Sequence, residues 1–508
     1  MLPSNHVVVL WGILLSSVAG CQSVPGARPA KTPLESGRPR PARAVAPSRT
    51  GEIRPVAHET PDSAARADSP GLPTPADAVG VVAAPDVTEL TLEEVISIAL
   101  TNNPDLVTAS EQIAAADAVL CRARAEFYPK LGVSESYNAS NNPVQVFMYA
   151  LNEAQLDPTA NFNNPGFGDI FQTQLGLQQN LYSGHRRWHA MDAAAAQRNG
   201  AAFQLEAIQN QLVFHAAEAF YRLLQAHVLV GVRREAVQQV EQHLQIVQSR
   251  YRNGTAVKSD VLSVEVRLAE VRQALITAQN QQELAWSVVE NVVGGPIARR
   301  PLPAHVNAAP WTADVERIES AIAEAQGRRA EVSALASQGQ AARQGIEIAR
   351  AGKRLRADLM GTYDLYTSEF KRGNDSYFLG LVLQLNLFDG GRTDWDVEKA
   401  MARVRELRAR QKRLMLDIEL EVRRAHLNLV SAEKRLEVAT QAIGQAEESL
   451  REIEARYRGQ AATITQLIDS QVALSDAEVR KANAEAEVEI ARAAVQRAIG
   501  RLTDMVGQ

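Results

Sequence analysis

The chain has 508 residues, 45% of them hydrophobic and 22% charged, with 54 basic against 59 acidic side chains. A net charge of −5 does not favour a nucleic acid partner, and two cysteines are too few for a disulfide framework or a cysteine-rich metal site. Of the 22 prolines, twelve lie in residues 25–85 and none lies in 166–295 or 311–508, so the last two regions can form long uninterrupted helices.

The chain begins with the features of a lipoprotein leader. Residues 7–15 are apolar, and residues 18–20 are small and lead into Cys21. This segment resembles the bacterial lipobox, so we expect residues 1–20 to be a signal peptide and Cys21 to carry the lipid. An uncleaved membrane helix is the alternative, but about 14 apolar residues fall short of the roughly 20 that span a bilayer.

Residues 21–85 are rich in Pro, Ala, Arg, Ser and Gly and have no periodic apolar pattern. Such a composition cannot bury a core and predicts a disordered, lipid-anchored tether. Its arginines are interleaved with Glu and Asp. This favours a solvated spacer between the lipid and the folded body over a segment that binds cell-wall polymer.

An internal repeat governs the rest of the chain. Leu-Tyr-Ser-Gly at 181–184 is answered by Leu-Phe-Asp-Gly at 387–390, and Arg-Tyr-Arg at 250–252 by the same three residues at 456–458, both at an offset of 206. A shared offset over this distance predicts a duplication. The predicted parts are a first repeat at 86–295, a linker at 296–311 and a second repeat at 312–508.

Upstream of these motifs the two copies differ in length. Leu131 and Leu359 correspond at an offset of 228, so we expect 22 extra residues in the first copy. The extra stretch lies within 138–169 and is rich in Asn, Pro and Gly, which favour turns and loops.

Each copy contains two segments that alternate with period two, at about 131–137 and 171–181 and again at 359–365 and 379–387. Odd-numbered positions are mostly apolar and even-numbered positions mostly polar, with Glu135 as an exception. We expect each pair of segments to form its own β-hairpin, separate from the other. A half-buried sheet in an ordinary soluble domain would alternate in the same way.

Each strand pair leads into a helix that is too long for a compact sheet domain. Apolar residues recur at steps of three and four over 216–251 and again over 422–457. This pattern predicts a helix over about 185–250 and its counterpart in the second copy, each about 100 Å long. Returning helices are expected at about 259–293 and 463–506, so each copy is a β-hairpin joined to a long α-hairpin.

Four strands with one apolar face cannot seal themselves in a bilayer, because lipid offers no partner for an unpaired edge. Spanning barrels start at about eight strands, so the chain must associate with copies of itself. We expect odd-numbered strand side chains to face lipid, even-numbered ones to face a water-filled lumen, and the helices to project away from the membrane.

Four motifs occur in the same order as in a known family. The helix start at 90–94, its continuation to Asn-Asn-Pro-Asp-Leu at 102–106, the strand-to-helix junction at 385–391 and both Arg-Tyr tips are similar to the outer membrane efflux protein family, the TolC-like channels. The resemblance covers about residues 90–504. It implies a mainly α fold with a membrane β-barrel, in which a homotrimer shares one twelve-stranded barrel continued by a helical barrel in the periplasm.

The resemblance also implies a function. The chain would be the outer membrane component of a tripartite efflux system, a passive conduit that meets an inner-membrane transporter and a periplasmic adaptor of the membrane fusion class. The expected adaptor-facing tip residues are Arg250, Tyr251, Gly254, Arg456, Tyr457 and Gly459. No cofactor is implied.

A periplasmic gate is expected just beyond the second tip. Counted from Tyr457, the two aspartates with which the family constricts its entrance fall on Gln466 and Asp469, and Asp260 corresponds to Gln466 through the repeat. The family's tip glycine is present as Gly254 but falls on Gln460 in the second copy. A ring of carboxylates would repel anions and attract cations.

Two other classes of protein fit the sequence less well. A periplasmic, lipid-anchored coiled-coil adaptor or scaffold would also have paired long helices, but adaptors have one α-hairpin and a soluble β domain. An enzyme is disfavoured because no nucleophile or acid–base set is evident. His185 and His189 stand four apart on a helix but lack a third ligand nearby, so polar surface is favoured over a metal site. The sequence does not distinguish drugs, metal ions and polypeptides as the cargo.

Overall fold

The computed structural model describes residues 89–161, 163–303, 317–367 and 374–502, all within one unit, Asp86–Gln508. The predicted signal peptide, Cys21 and the predicted tether lie outside the described residues, as does part of the predicted linker.

Each repeat runs from short helices through two strands into a long α-hairpin. The first repeat contains α1 Leu92–Asn102, α2 Pro104–Ala125, β1 Lys130–Ser140, α3 Pro143–Asn152, β2 Gly168–Ser183, α4 Arg186–Arg252 and α5 Lys258–Val293. The second contains α6 Ile318–Arg328, α7 Ala330–Arg350, a 3₁₀ turn Ala351–Lys353, β3 Arg356–Thr367, β4 Asn374–Gln384, α8 Arg392–Arg458 and α9 Ile464–Ile499. At 67 residues each, α4 and α8 are about 100 Å long.

The repeat is visible in the element boundaries. Both ends of α8 and of α9 follow the corresponding ends of α4 and α5 at the single offset that the sequence motifs predict. Upstream, the starts of α6, α7 and β3 also share one offset from the starts of α1, α2 and β1, but it is smaller by two than the expected value. The predicted pairing of Leu131 with Leu359 was therefore wrong, and the extra stretch in the first copy is two residues shorter than expected.

The extra stretch is not only turns and loops. Asn142 accepts a hydrogen bond from the Val144 backbone N–H, Pro143 follows at the first helical position, and ten residues form α3. The prediction was wrong here because the Asn-Pro pair is a helix start signal as well as a turn signal.

Two other elements end earlier than the sequence predicts. The helix expected to reach Val506 ends at Ile499, because Gly500 takes a left-handed conformation and its N–H donates to the carbonyls of Gln496 and Arg497. Strand β4 ends at Gln384, so Leu385 and Leu387 lie in the connection to α8.

The four strands form one antiparallel sheet in the order β1-β2-β3-β4. The expectation of two separate hairpins was wrong, because β2 pairs with β3 from Phe171 to Ser183, interrupted by a bulge at Asn180/Tyr182. Before that bulge, odd-numbered residues pair with odd-numbered residues across β1 to β4. The alternation therefore yields two continuous faces.

The two faces of the sheet differ in chemistry. One register row on the odd-numbered face joins Val133, Leu175, Tyr363 and Tyr377, and the next joins Leu131, Leu177, Gly361 and Leu379. Tyr363 and Leu365 of β3 are exposed, whereas Asp358 and Asp364 on the even-numbered face are buried. On β3 the odd-numbered face is therefore the more open one.

The helices lie side by side, and their core is divided into three clusters. In the half near the sheet the neighbours run α2, α4, α7, α8, and in the far half they run α5, α4, α9, α8. One cluster packs α1 against α4, α5 and α9, the second packs α6 against α8 and α9, and the third joins both hairpins near their tips. No described helix is long and apolar enough to cross a membrane.

Candidate functional site at the hairpin tips

The two α-hairpins end in the same backbone turn. We call residues 250–257 the first tip and 456–463 the second tip. In the first tip the Thr255 N–H donates to the Arg250 carbonyl (2.9 Å), and in the second the Ala461 N–H donates to the Arg456 carbonyl (2.8 Å). These bonds close each long helix and turn the chain back.

The tyrosines at equivalent positions of the two tips have different environments. Tyr457 is 9% exposed and packs in the third core cluster, whereas Tyr251 is 46% exposed. The guanidinium carbon of Arg250 lies 4.6 Å from the centre of the Tyr457 ring. The first tip thus covers the second through a cation–π contact.

The returning helices also start differently. At α9 the Gln466 N–H donates to Thr463 Oγ1 (3.3 Å) and the Thr463 N–H donates to Gln466 Oε1 (3.0 Å), which is a capping box. At α5 the equivalent N-cap is Val257, whose side chain makes no cap, and Asp260 lies in the first turn. Gln466, a predicted gate residue, is therefore tied to its own helix start.

The predicted gate carboxylates lie on different helices. Asp469 is exposed on α9, directly after the buried pair Leu467 and Ile468, and Asp260 is half-buried on α5. Within the described part of a single chain, no hydrogen bond or ion pair joins the two carboxylates. Arg456 pairs with Glu452 on its own helix.

Polar pairs that the sequence patterns missed join α4 to α9 above the tips. His243 and Gln471 are bonded at 2.6 Å between Nε2 atoms, Arg233 reaches Asp476 at 3.4 Å, and Gln225 donates to Asn483 at 2.7 Å. Burial is the main cause that lowers the pKa of His243, although Glu454 and the bond to Gln471 oppose it. Interrupted apolar spacing on α4 is the only sequence signal for this seam.

Two helices carry apolar stripes on the side away from their own partners. On α5 the exposed residues are Leu262, Val266, Ile276 and Leu284, opposite the buried Val264, Leu268 and Val271. On α8 the exposed residues are Leu416, Leu420, Leu427 and Val438. These two helices are the outer members of the row α5, α4, α9, α8, just as β1 and β4 are the outer strands of the sheet.

His185 and His189 have separate partners. His185 Nδ1 lies 3.3 Å from the Tyr182 hydroxyl, and His189 Nδ1 lies 2.7 Å from Gln344 Oε1. No group of three His, Cys, Asp or Glu side chains suited to a metal ion occurs among the described residues.

Comparison with known proteins gives consistent matches. The family model described as outer membrane efflux protein matches residues 95–295 and 321–501, which is most of the chain. The chain is similar to outer membrane protein TolC of Vibrio cholerae, with 22% identity over 426 residues, 81% of this chain and 91% of that protein. It is also similar to the pyoverdine export outer membrane protein OpmQ of Pseudomonas aeruginosa, with 21% identity, 80% of this chain and 83% of that one.

A solved structure supports the fold. The crystal structure of a membrane protein from Pseudomonas aeruginosa superposes with a TM-score of 0.68 at 21% identity, over 80% of this chain and 93% of that one. The four-stranded sheet and paired long helices described above are therefore an architecture that other chains adopt.

Proposed function

The chain belongs to the outer membrane efflux protein family, and we propose that it works as a homotrimer, the conduit that links an inner-membrane transporter and a periplasmic adaptor to the exterior. It is an outer membrane channel component of an efflux system. Its role is passive transport rather than catalysis.

The observation that carries the trimer is the pair of unpartnered edges. In each chain the first repeat leaves α5 and β1 uncovered on one side, and the second repeat leaves α8 and β4 uncovered on the other. A head-to-tail contact that joins α5 to α8 and β1 to β4 of the next copy covers both edges at once. Such heterologous contacts form a ring when the rotation closes.

Closure of the ring also leaves no unpaired strand edge in the bilayer. Three copies supply twelve strands, which is enough for a spanning barrel with no free edge. The open apolar face of the sheet then meets lipid, and the hydrogen-bonded polar face lines the lumen. The α-hairpins of the three copies continue the wall away from the membrane.

The gate is proposed at the tips. In a trimer the exposed Asp469 occurs three times around one axis, with Asp260 beside it on the neighbouring hairpins. Carboxylates in a narrow opening repel each other and anions and attract cations. We expect the double variant Asp469→Ala with Asp260→Ala to raise single-channel conductance in planar bilayers, and unchanged current would remove both residues from the gate.

The adaptor is proposed to contact the tips from outside. Tyr251 and Arg250 of the first tip and Arg456 of the second are partly or fully exposed, while Tyr457 supports them from beneath. Gly254 takes the left-handed position in the turn of the first tip, and Gln460, directly after Gly459, takes it in the second.

The amino-terminal part is proposed to fix the trimer in the outer membrane. Cys21 receives the lipid and becomes the first residue of the mature chain when residues 1–20 are removed, and residues 21–85 connect it to the first repeat at 86–295. Residues 296–311 link it to the second repeat at 312–508. Cys21→Ala separates this proposal from a lipid-anchored scaffold, because a channel stays integral in high salt whereas a scaffold leaves the membrane.

The trimer contact has a direct test. Ile276 on α5 and Val438 on α8 lie at similar heights, each roughly five helical turns from the tip-proximal end of its helix. We expect oxidation of Ile276→Cys with Val438→Cys to yield covalent trimers on denaturing gels. Ile276→Cys with Leu436→Cys is the control, because Leu436 packs against the second core cluster of its own chain. Absence of trimers from the first pair would contradict the proposed assembly.

A further inference from the structure

The polar face of the sheet holds two buried carboxylates, both on β3. Asp358 is neutralised, because Arg356 pairs with it at 2.6 Å and the Asn180 amide donates to it at 2.7 Å. Such a pair adds no net charge to its surroundings.

Asp364 is held by two amide side chains. It is 7% exposed, and its Oδ1 accepts hydrogen bonds from the side-chain amides of Gln172 (2.9 Å) and Gln174 (2.8 Å). In the part of the chain that the structure describes, no Lys, Arg or His forms an ion pair with it. Both donors are neutral, so they hold the carboxylate by hydrogen bonds and leave its charge uncancelled.

The register places Asp364 within a polar row. Gln174 and Ser376 are its direct partners on β2 and β4, and Ser134 of β1 pairs with Gln174. Nothing in this row carries a compensating positive charge. We infer that Asp364 is a specificity-determining residue whose three copies form an anionic ring in the barrel lumen, which favours cationic and zwitterionic solutes over anions.

This inference rests on the proposed trimeric channel and adds a second selective element to it. A charge held beside low-dielectric protein acts on an ion that passes along the wall more strongly than it would in bulk water. Asp364 lies on the sheet and Asp469 near the far end of a helical hairpin about 100 Å long. At physiological salt, screening over about 8 Å keeps the two sites electrostatically independent.

The test is ion selectivity in planar bilayers under a KCl gradient. Asp364→Asn keeps the oxygen that accepts both glutamine amides and removes only the charge. We expect the ratio of K⁺ to Cl⁻ permeability to fall about twofold. Heat-stable trimers on gels establish that the variant folds.

Two controls isolate the charge and its side of the sheet. Arg356→Gln with Asp358→Asn removes a neutral pair from the same face and should leave the ratio unchanged. Glu135→Gln removes a carboxylate from the opposite face, where Glu135 accepts a hydrogen bond from the Thr173 hydroxyl, and should also leave it unchanged.

The outcomes separate the two proposals. An unchanged ratio for Asp364→Asn, or an equal fall for Glu135→Gln, overturns the anionic ring while the channel itself stands. If the unaltered protein forms neither trimers nor channels, the proposed function fails and this inference fails with it.

Discussion

The first and second tips trace the same turn with their glycines in different places. In the first, Gly254 occupies the left-handed position with φ +73°, and in the second that position is taken by Gln460 with φ +63°, just after Gly459. A left-handed conformation is disfavoured for any residue with a Cβ. The turn is therefore kept by the hydrogen bonds that close the helix, and the second tip carries the strain.

The strand-to-helix junctions show the reverse arrangement. Gly390 and Gly391 both have positive φ before α8, whereas before α4 the pair is Gly184 and His185, with φ +68° at His185. The His185 ring packs perpendicular to that of Tyr182, with centroids 5.4 Å apart. At the two ends of the long helices, each repeat thus holds one non-glycine residue in a glycine conformation, His185 before α4 and Gln460 after α8.

The largest expected difference between the tips concerns their tyrosines. Tyr457→Ala removes a buried ring and the partner of Arg250, and should destabilise the tips by about 3 kcal/mol. Tyr251→Ala truncates a half-exposed ring and should cost only about 0.5 kcal/mol. Hydrogen exchange of the Ile464–Ile468 amides measures both, and equal effects would contradict the difference in burial.

A reciprocal exchange tests the strain. Gly254→Gln should destabilise the first tip by about 1–2 kcal/mol, because it forces a side chain into the left-handed region. Gln460→Gly should stabilise the second tip by less, since the added freedom of glycine in the unfolded chain offsets part of the gain. The rate of proteolysis at the tips measures the effect of both substitutions. If Gln460→Gly destabilised the tip, the side chain of Gln460 rather than its backbone would hold the turn.

The helix caps offer a smaller contrast. Thr463→Ala breaks the capping box and should cost about 1 kcal/mol, while Thr463→Ser should retain it. Val257→Thr places a capping hydroxyl three residues before Asp260 and should stabilise the first tip by about 0.5 kcal/mol. The urea midpoints of the detergent-solubilised variants measure these effects. Thr463→Ser should unfold at a higher urea concentration than Thr463→Ala, and the reverse order would contradict the role of the capping box.

The smallest effect is a pH dependence that comes from His243 on the first hairpin. His243 has a lowered pKa in the fold, so its contribution to stability is complete above its unfolded pKa of about 6.5 and is lost as pH falls below that value. The equivalent residue of the second hairpin is Ser449, which does not titrate in this range. His243→Gln should narrow the difference between melting temperatures at pH 7.5 and 5.5, and an unchanged difference would contradict this role of His243.

Sequence reasoning reached the site only in part. It identified Arg250, Tyr251, Arg456 and Tyr457 because their motif recurs at one offset. It did not reveal that Tyr457 is buried and Tyr251 exposed, because this depends on how α4 meets α9. The bonds of that seam join residues separated by 228 to 258 positions, a distance over which local patterns carry no information.

The sequence by itself determined the duplication, the long helices, the four strands and the two faces of the sheet, because periodicity and glycine or proline placement act over a few residues. Only the tertiary structure decided that the strand pairs join through β2 and β3, that Asp358 pairs with Arg356 whereas Asp364 has amide partners among the described residues, and that one tip covers the other. Equivalent residues of the two repeats differ there because each hairpin has different neighbours, and burial and charge pairing depend on those neighbours.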